Sequence, residues 1–354
     1  MKKTPHPIIL LFAAAVLLTG LEVLLPSSSG AAFVPIPDAI MLNAAGATFP
    51  YPIYSKWFSE YNKIHSDIQI NYQSIGSGAG IRQLLAGTVD FGASDAPMND
   101  EQLAQAKTKV LHFPTVLGAV VPTYNISGFS EELNFTGDLL ADIYQGKITK
   151  WSDPEIAKYN KEVSLPAQDI VVVHRSDGSG TSYVWTDFLS KLSPEWASKV
   201  GKNTSVNWPV GLGGKGNEGV AGLVKETPGA IGYVELIYAV QNHLPYGRVR
   251  NAGGFFVKAS LASVTAAAAG VANSMPDDFR ISITNAPGDS TYPICSFTYL
   301  LIPAKIEDAN KGGIIKNFLH WMLTDGQKDA EPLTYAPLPK EVVAKELKQI
   351  SLIQ

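Results

Sequence analysis

IQINYQSIGSGAGIRQLLAGTVDFGA, residues 68–93, is the stretch on which the fold reading turns. Ile68, Ile70 and Tyr72 alternate with polar residues, as in a strand with one buried face. The glycine-rich turn Gly76-Ser77-Gly78-Ala79-Gly80 follows. Ile81, Leu84 and Leu85 then recur at helical spacing, and Val89 to Ala93 read as a second strand. Upstream, Ile53, Tyr54, Trp57, Phe58 and Tyr61 form a helical stripe after Pro50 and Pro52. Strand, short turn, helix and strand in succession predict an α/β fold with a mainly parallel sheet covered by helices on both faces.

The second half repeats the habit. Asp169 to Val173 read as a buried strand, another glycine turn follows, and Val184, Trp185, Phe188 and Leu189 make a helical stripe. Ile314, Phe318, Leu319 and Met322 predict a late helix closed by Gly326. Residues 259–273, rich in Ala and Val, predict a surface helix without chemistry. No repeat of fixed period and no low-complexity linker divides the chain.

The chain has 354 residues, 45% apolar and 17% charged, enough for two hydrophobic cores. Disorder, collagen and disulfide-scaffold readings are excluded. A formal charge of −4 offers no basic surplus for a nucleic-acid backbone. Any bound anion must therefore be held locally. The single cysteine, Cys295, lies in an apolar run and reads as a buried small hydrophobe. The six histidines at 6, 65, 112, 174, 243 and 320 show no pair at ligand spacing, so neither a metal nor a cofactor is expected.

Lys2 and Lys3 precede an apolar run from Ile8 to Leu18, and Pro26 to Ala32 supply small residues behind it. That order predicts a secretory signal over residues 1–32, cleaved near Ala32, with an uncleaved anchor as its rival. Removing it takes away Lys2, Lys3 and Glu22 and leaves 26 basic and 31 acidic residues, a charge of −5. The Asn-x-Ser/Thr triplets at Asn125, Asn134 and Asn203 match a loose pattern and are assigned no role.

Three turns carry the chemistry. Thr48 to Pro52 place a hydroxyl and free N–H groups at a helix start, which favours an anion; taken alone, Thr48 reads as an N-cap. The turn at Gly76 to Gly80 lets the backbone approach a ligand closely and lacks the dinucleotide spacing. Arg175-Ser176-Asp177-Gly178-Ser179-Gly180-Thr181-Ser182 joins a strand to a helix with two glycines, hydroxyl donors and an arginine suited to gripping an oxyanion; no lysine follows, so it is not a nucleotide P-loop. Asp95 ends a strand beside these donors. A carboxylate there repels an anion unless the ligand brings a proton, as phosphate does at neutral pH and sulfate does not. Asp95 is therefore expected to select phosphate over sulfate.

Several runs resemble, in order, the periplasmic phosphate-binding protein family of phosphate-specific ABC transporters. They are Ala45 to Pro50, Gly76 to Gly78, Val89 to Asp95, Arg175 to Ser182, Gly211 to Asn217 and Pro228 to Glu235, within residues 44 to 345. The resemblance implies a two-lobed, type II binding-protein fold, with one lobe at 40–118 and 296–354 and the other at 119–295. The crossings would lie at Val116–Val121 and Tyr292–Leu300. It also implies that phosphate is held by the hydroxyl of Thr48, the N–H of Phe49, Ser77, Asp95, Arg175, Ser179, Gly180 and Thr181, with Asp177 orienting Arg175. His174, where the family often has a basic residue, points away from the site by strand alternation. The implied protein is a monomer outside the cytoplasm that serves a membrane permease. The alternatives are a receptor for another tetrahedral oxyanion such as sulfate, or a secreted phosphohydrolase using Ser179 or Thr181.

Overall fold

The computed structural model describes residues 39–129, 131–271 and 274–354. The predicted signal at 1–32 lies outside these residues.

Strands β1 (Ile40–Gly46), β2 (Ile68–Ser74) and β3 (Phe91–Ser94) are linked by helices α1 (Tyr51–Ile64) and α2 (Ser77–Ala86). β1 runs parallel to both neighbours, with Ile40 beside Ile68 and Ala44 beside Phe91. The α1 stripe buries Ile53, Tyr54, Trp57, Phe58 and Tyr61, the five residues its spacing predicts. The predicted strand at Val89 begins two residues late. Asp90 meets Asn43 through its carboxylate, which accepts the Asn43 N–H at 2.7 Å, so the ladder starts at Phe91.

Next come α3 (Asp100–Ala104), β4 (Val110–Asn125), β5 (Asn134–Phe135), α4 (Gly137–Tyr144), α5 (Pro154–Ala157), β6 (Val171–Arg175), α6 (Gly180–Leu192) and α7 (Pro194–Lys199). They are followed by β7 (Leu212–Gly214), α8 (Gly216–Glu226), β8 (Ala230–Glu235), α9 (Leu236–Gln241), β9 (Arg248–Arg250), β10 (Phe256–Val257), α10 (Leu261–Ala269), β11 (Cys295–Pro303), α11 (Ala309–Leu323) and α12 (Lys340–Gln349). Eight strands form one mixed sheet in the order β2-β1-β3-β11-β4-β8-β6-β7, and β10-β9-β5 form a small second sheet.

The flanks of the large sheet are parallel and its centre is antiparallel. Central β4 is 16 residues long and buried along nearly its whole length, which explains its almost continuous apolar run. It pairs with β11 up to Ala119 and with β8 from Val120 onward. Its register with β11 shifts between Thr298 and Tyr299, next to the Thr298 hydroxyl that donates to Asp95.

Other boundaries move for local reasons. Asp169 stays exposed and pairs with Lys150 at 2.7 Å, so β6 starts at Val171 rather than at Asp169. The helix expected at 259–273 is the shorter α10, opened by a reciprocal Ser260/Ser263 cap; residues 272 and 273 lie outside the described set. The late helix α11 stops at Leu323 instead of running to Gly326. The Gly326 carbonyl accepts the Trp57 indole N–H at 2.7 Å from a 3-10 turn over Asp325–Asp329. Cys295 is buried, its thiol donating to the Tyr292 carbonyl, and burial pushes that thiol well up.

Glu346 on α12 is fully buried, and neither carboxylate oxygen has a hydrogen-bond partner among the described residues. Burial holds its pKa well above the usual range. The unfolded chain releases this proton above ~4.3 while the folded chain keeps it, so stability falls as pH rises. Glu346→Met is expected to raise the unfolding free energy by about 1–3 kcal/mol, and by more at pH 8 than at pH 5, in denaturant titrations. A loss of stability at both pH values would contradict this.

Candidate functional site

The ends of β1, β2, β6 and β7 lead by turns into α1, α2, α6 and α8, and β3 ends beside them, where the Asp95 N–H donates to Ser77 Oγ. The carboxyl edge of an α/β sheet is where ligands bind, because helix N-termini with free N–H groups gather there. Bonds between the turns join them directly. The Gly78 N–H donates to the Gly178 carbonyl at 2.9 Å, the Gly180 N–H to Ser77 Oγ at 3.0 Å, and the Gly216 N–H to Asp177 Oδ1 at 3.1 Å. Thr48, Phe49, Ser77, Asp95, Arg175, Ser179, Gly180 and Thr181 are all buried.

Arg175 closes β6. Its Nε and Nη2 donate to Asp177 Oδ1 and Oδ2 at 2.8 and 2.6 Å, a two-pronged pair that fixes the plane of the guanidinium. Its backbone N–H donates to the Tyr233 hydroxyl, which lies under Trp185 in a stack with centroids 5.0 Å apart. Burial works against the charged form of Asp177, but the Arg175 pair outweighs it and holds the carboxyl below its ordinary range. His174 turns away from the site, as alternation predicts. It stacks on Trp208 at 4.9 Å, and burial lowers its pKa.

Asp95 is 1% exposed. Its Oδ1 accepts the Thr298 hydroxyl at 2.8 Å, while Oδ2 has no partner among the described residues. Burial pushes its pKa up to about 7, against the Thr298 hydrogen bond and the Arg175 charge, which pull it down. An acceptor oxygen left open beside so many donors suits a ligand that carries its own proton.

Thr48 corrects one expectation. The N-cap of α1 is Pro50, with no side-chain hydrogen bond, and Thr48 Oγ1 instead accepts from Asn217 on α8, from Nδ2 at 2.8 Å and from the backbone N–H at 3.2 Å. Ser179 does cap α6, accepting the Ser182 N–H at 3.0 Å, which leaves its hydroxyl hydrogen to donate. The Gly180 N–H, expected to face an anion, is turned to Ser77 Oγ.

A family model described as the PBP superfamily domain matches residues 33–326. The phosphate-binding protein PstS of Xylella fastidiosa is 45% identical over 306 residues, covering 86% of this chain and 83% of its own. That of Pasteurella multocida is 45% identical over 309 residues, covering 87% and 89%. The chain belongs to the PstS family of the PBP superfamily. The solved phosphate-binding protein of Stenotrophomonas maltophilia shares its fold, with a TM-score of 0.67 at 19% identity over 88% of this chain and 94% of that one.

Within this PstS-family chain, four residues that sequence reasoning assigned no role complete the cluster. Thr298 holds Asp95, and Asn217 reaches both Thr48 and Thr181. The Tyr238 hydroxyl donates to the Thr48 carbonyl at 2.5 Å and that of Tyr335 to the Phe49 carbonyl at 2.6 Å, steadying the first turn. Asn217 ends the run Gly211 to Asn217 that carries part of the family resemblance, and the structure places it in the first turn of α8. Thr298, Tyr238 and Tyr335 carry no local signal.

Gly180 is required by space. A Cβ there would lie 2.4 Å from Ser77 Oγ and 2.5 Å from Asp95 Oδ2. Gly180→Ala is expected to weaken anion binding by about 10- to 100-fold, the effect of overpacking by 1–3 kcal/mol. Calorimetric titration reads this, and unchanged affinity would mean that the turn is loose.

Proposed function

We propose that this chain binds inorganic phosphate outside the cytoplasm and delivers it to the permease of a phosphate-specific ABC transporter, acting as a monomer exported by its first 32 residues. The observation that carries the reading is the unpartnered Oδ2 of buried Asp95, set among donors that include a guanidinium fixed by Asp177. The family supports it, since the curated relatives are themselves phosphate-binding proteins. Among the described residues, no helix is long and apolar enough to cross a membrane.

In this reading Thr48, Phe49, Ser77, Asp95, Arg175, Ser179 and Thr181 hold the anion, and Gly180, whose N–H is given to Ser77 Oγ, shapes the third turn beside them. One lobe comprises 40–118 and 296–354, and the other comprises 119–295. The change of partner along β4 between Ala119 and Val120 supports that division. Thr48 to Asn217, Ser77 to Gly180 and Gly78 to Gly178 then join lobe to lobe. Phosphate stabilises the closed form by its higher affinity for it.

The reading is one of binding rather than turnover. The hydroxyls of Ser179 and Thr181 meet the Ser182 N–H, Asn217 and Arg175, all of them donors that accept no proton from a nucleophile. Equilibrium dialysis with labelled phosphate is expected to give one anion per chain, and small-angle scattering a smaller radius of gyration on its addition. Hydrolysis of a chromogenic phosphoester, abolished by Ser179→Ala, would overturn the binding reading in favour of an enzyme.

A further inference from the structure

We propose that Asn217 sets the polarity of the anion site: it donates to the hydroxyl oxygens of Thr48 and Thr181 together and so turns both hydroxyl hydrogens toward the ligand.

A hydroxyl has two acceptor lone pairs and one hydrogen. Thr48 Oγ1 accepts from Asn217 Nδ2 at 2.8 Å and from the Asn217 N–H at 3.2 Å, so both lone pairs are occupied and its hydrogen must go elsewhere. Thr181 Oγ1 accepts from the same Nδ2 at 3.1 Å and from Arg175 Nη1 at 3.4 Å, with the same result. One amide nitrogen carries two hydrogens, one for each threonine. The amide is held this way round because its Oδ1 accepts the Glu235 backbone N–H at 2.9 Å, a bond that the flipped amide could not make. Asn217 is completely buried at the start of α8, so water does not compete for these bonds.

Ser77 follows the same rule without Asn217. Its Oγ accepts from the N–H groups of Gly180 and Asp95 at 3.0 and 3.3 Å. Three hydroxyls are thereby committed as donors, while Asp95 Oδ2, close to the same Gly180 as Ser77 Oγ, is an open acceptor among the described residues. Such a site accepts an oxyanion with a single proton and mismatches one with none. Asn217 acts through the threonines and is a positioning residue.

The inference rests on the phosphate-binding reading, and calorimetry on five chains separates the two. These are the unaltered protein, Asn217→Ala, Asn217→Asp, Thr48→Val and the Asn217→Ala/Thr48→Val pair, each checked for folding by thermal melting. Asn217→Ala is expected to weaken phosphate binding by about 10- to 100-fold. Asn217→Asp, although nearly isosteric, should be weaker still, because its carboxylate accepts from both threonines and reverses their hydrogens. The paired change should fall short of the product of the single losses by about tenfold. Losses that multiply within about threefold, or an Asp variant that binds better than the Ala variant, would overturn the proposal, since those are the marks of a packing role. No uptake by the unaltered chain would overturn the phosphate reading along with it.

Discussion

Arg175→Leu is expected to weaken phosphate binding by about 10²- to 10⁴-fold. The guanidinium is buried, its side chain 1% exposed, and Asp177 grips it through two bonds, so it enters the closed site already oriented. Breaking a buried, hydrogen-bonded charge interaction by removing one partner costs about 3–5 kcal/mol, at about 1.4 kcal/mol per tenfold in affinity. Arg175→Lys should recover little, because an ammonium has no planar fork to match both Asp177 and an oxyanion. The expected order in calorimetry is therefore wild type far above Lys, with Lys close to Leu. Adding Asp177→Asn to Arg175→Leu should restore thermal stability without restoring affinity, because it neutralises the carboxylate left unpaired. A loss of less than about tenfold for Arg175→Leu would mean that the anion is held chiefly by neutral dipoles.

Asp95→Asn is expected to change which anion binds. In the wild type, sulfate would set an unprotonated oxygen against Asp95 Oδ2. Sites built to pair with a ligand hydroxyl reject the analogue lacking it by up to about 10⁴-fold or more. The asparagine variant can donate from that position, so sulfate should gain about 100-fold or more while phosphate weakens. The pH dependence carries a definite sign. Burial pushes the Asp95 pKa up to about 7, opposed by Thr298 and Arg175. As pH falls through that value the carboxyl gains a proton and becomes a donor, so wild-type sulfate affinity should rise on the acid side and vanish on the alkaline side. The Ser77 and Thr298 hydroxyls bonded to it do not ionise over that range. The variant should show no such dependence. Equal sulfate affinity of wild type and variant at pH 8 would remove Asp95 as the selector.

Most of the elements that carry the site were legible because their signals are local. Period-two and helical spacing at residues 68–93 marked the first strands and α2, and the glycine turns marked where backbone approaches a ligand. Arg175 and Asp177 are two residues apart, so even their pairing could be read. What escaped depends on contacts distant in sequence. Thr298 reaches Asp95 across 203 residues, Asn217 reaches Thr48 across 169, and Tyr335 reaches Phe49 across 286. Nothing in the spacing of a polar residue says which partner the fold will bring to it. Thr48 illustrates the point: as an isolated threonine before a helix it reads as a cap, and a side chain on α8 decides otherwise. The misplaced ends of β3, β6 and α11 share one cause, a side chain or carbonyl at the boundary that finds a partner outside the element.

The most direct test of the account is calorimetric titration of the chain, stripped of bound anion by mild unfolding and refolding, with phosphate and then sulfate at pH 8. The account predicts tight one-to-one phosphate binding and no sulfate signal. Sulfate binding as tight as phosphate, or heat from neither anion, would contradict it.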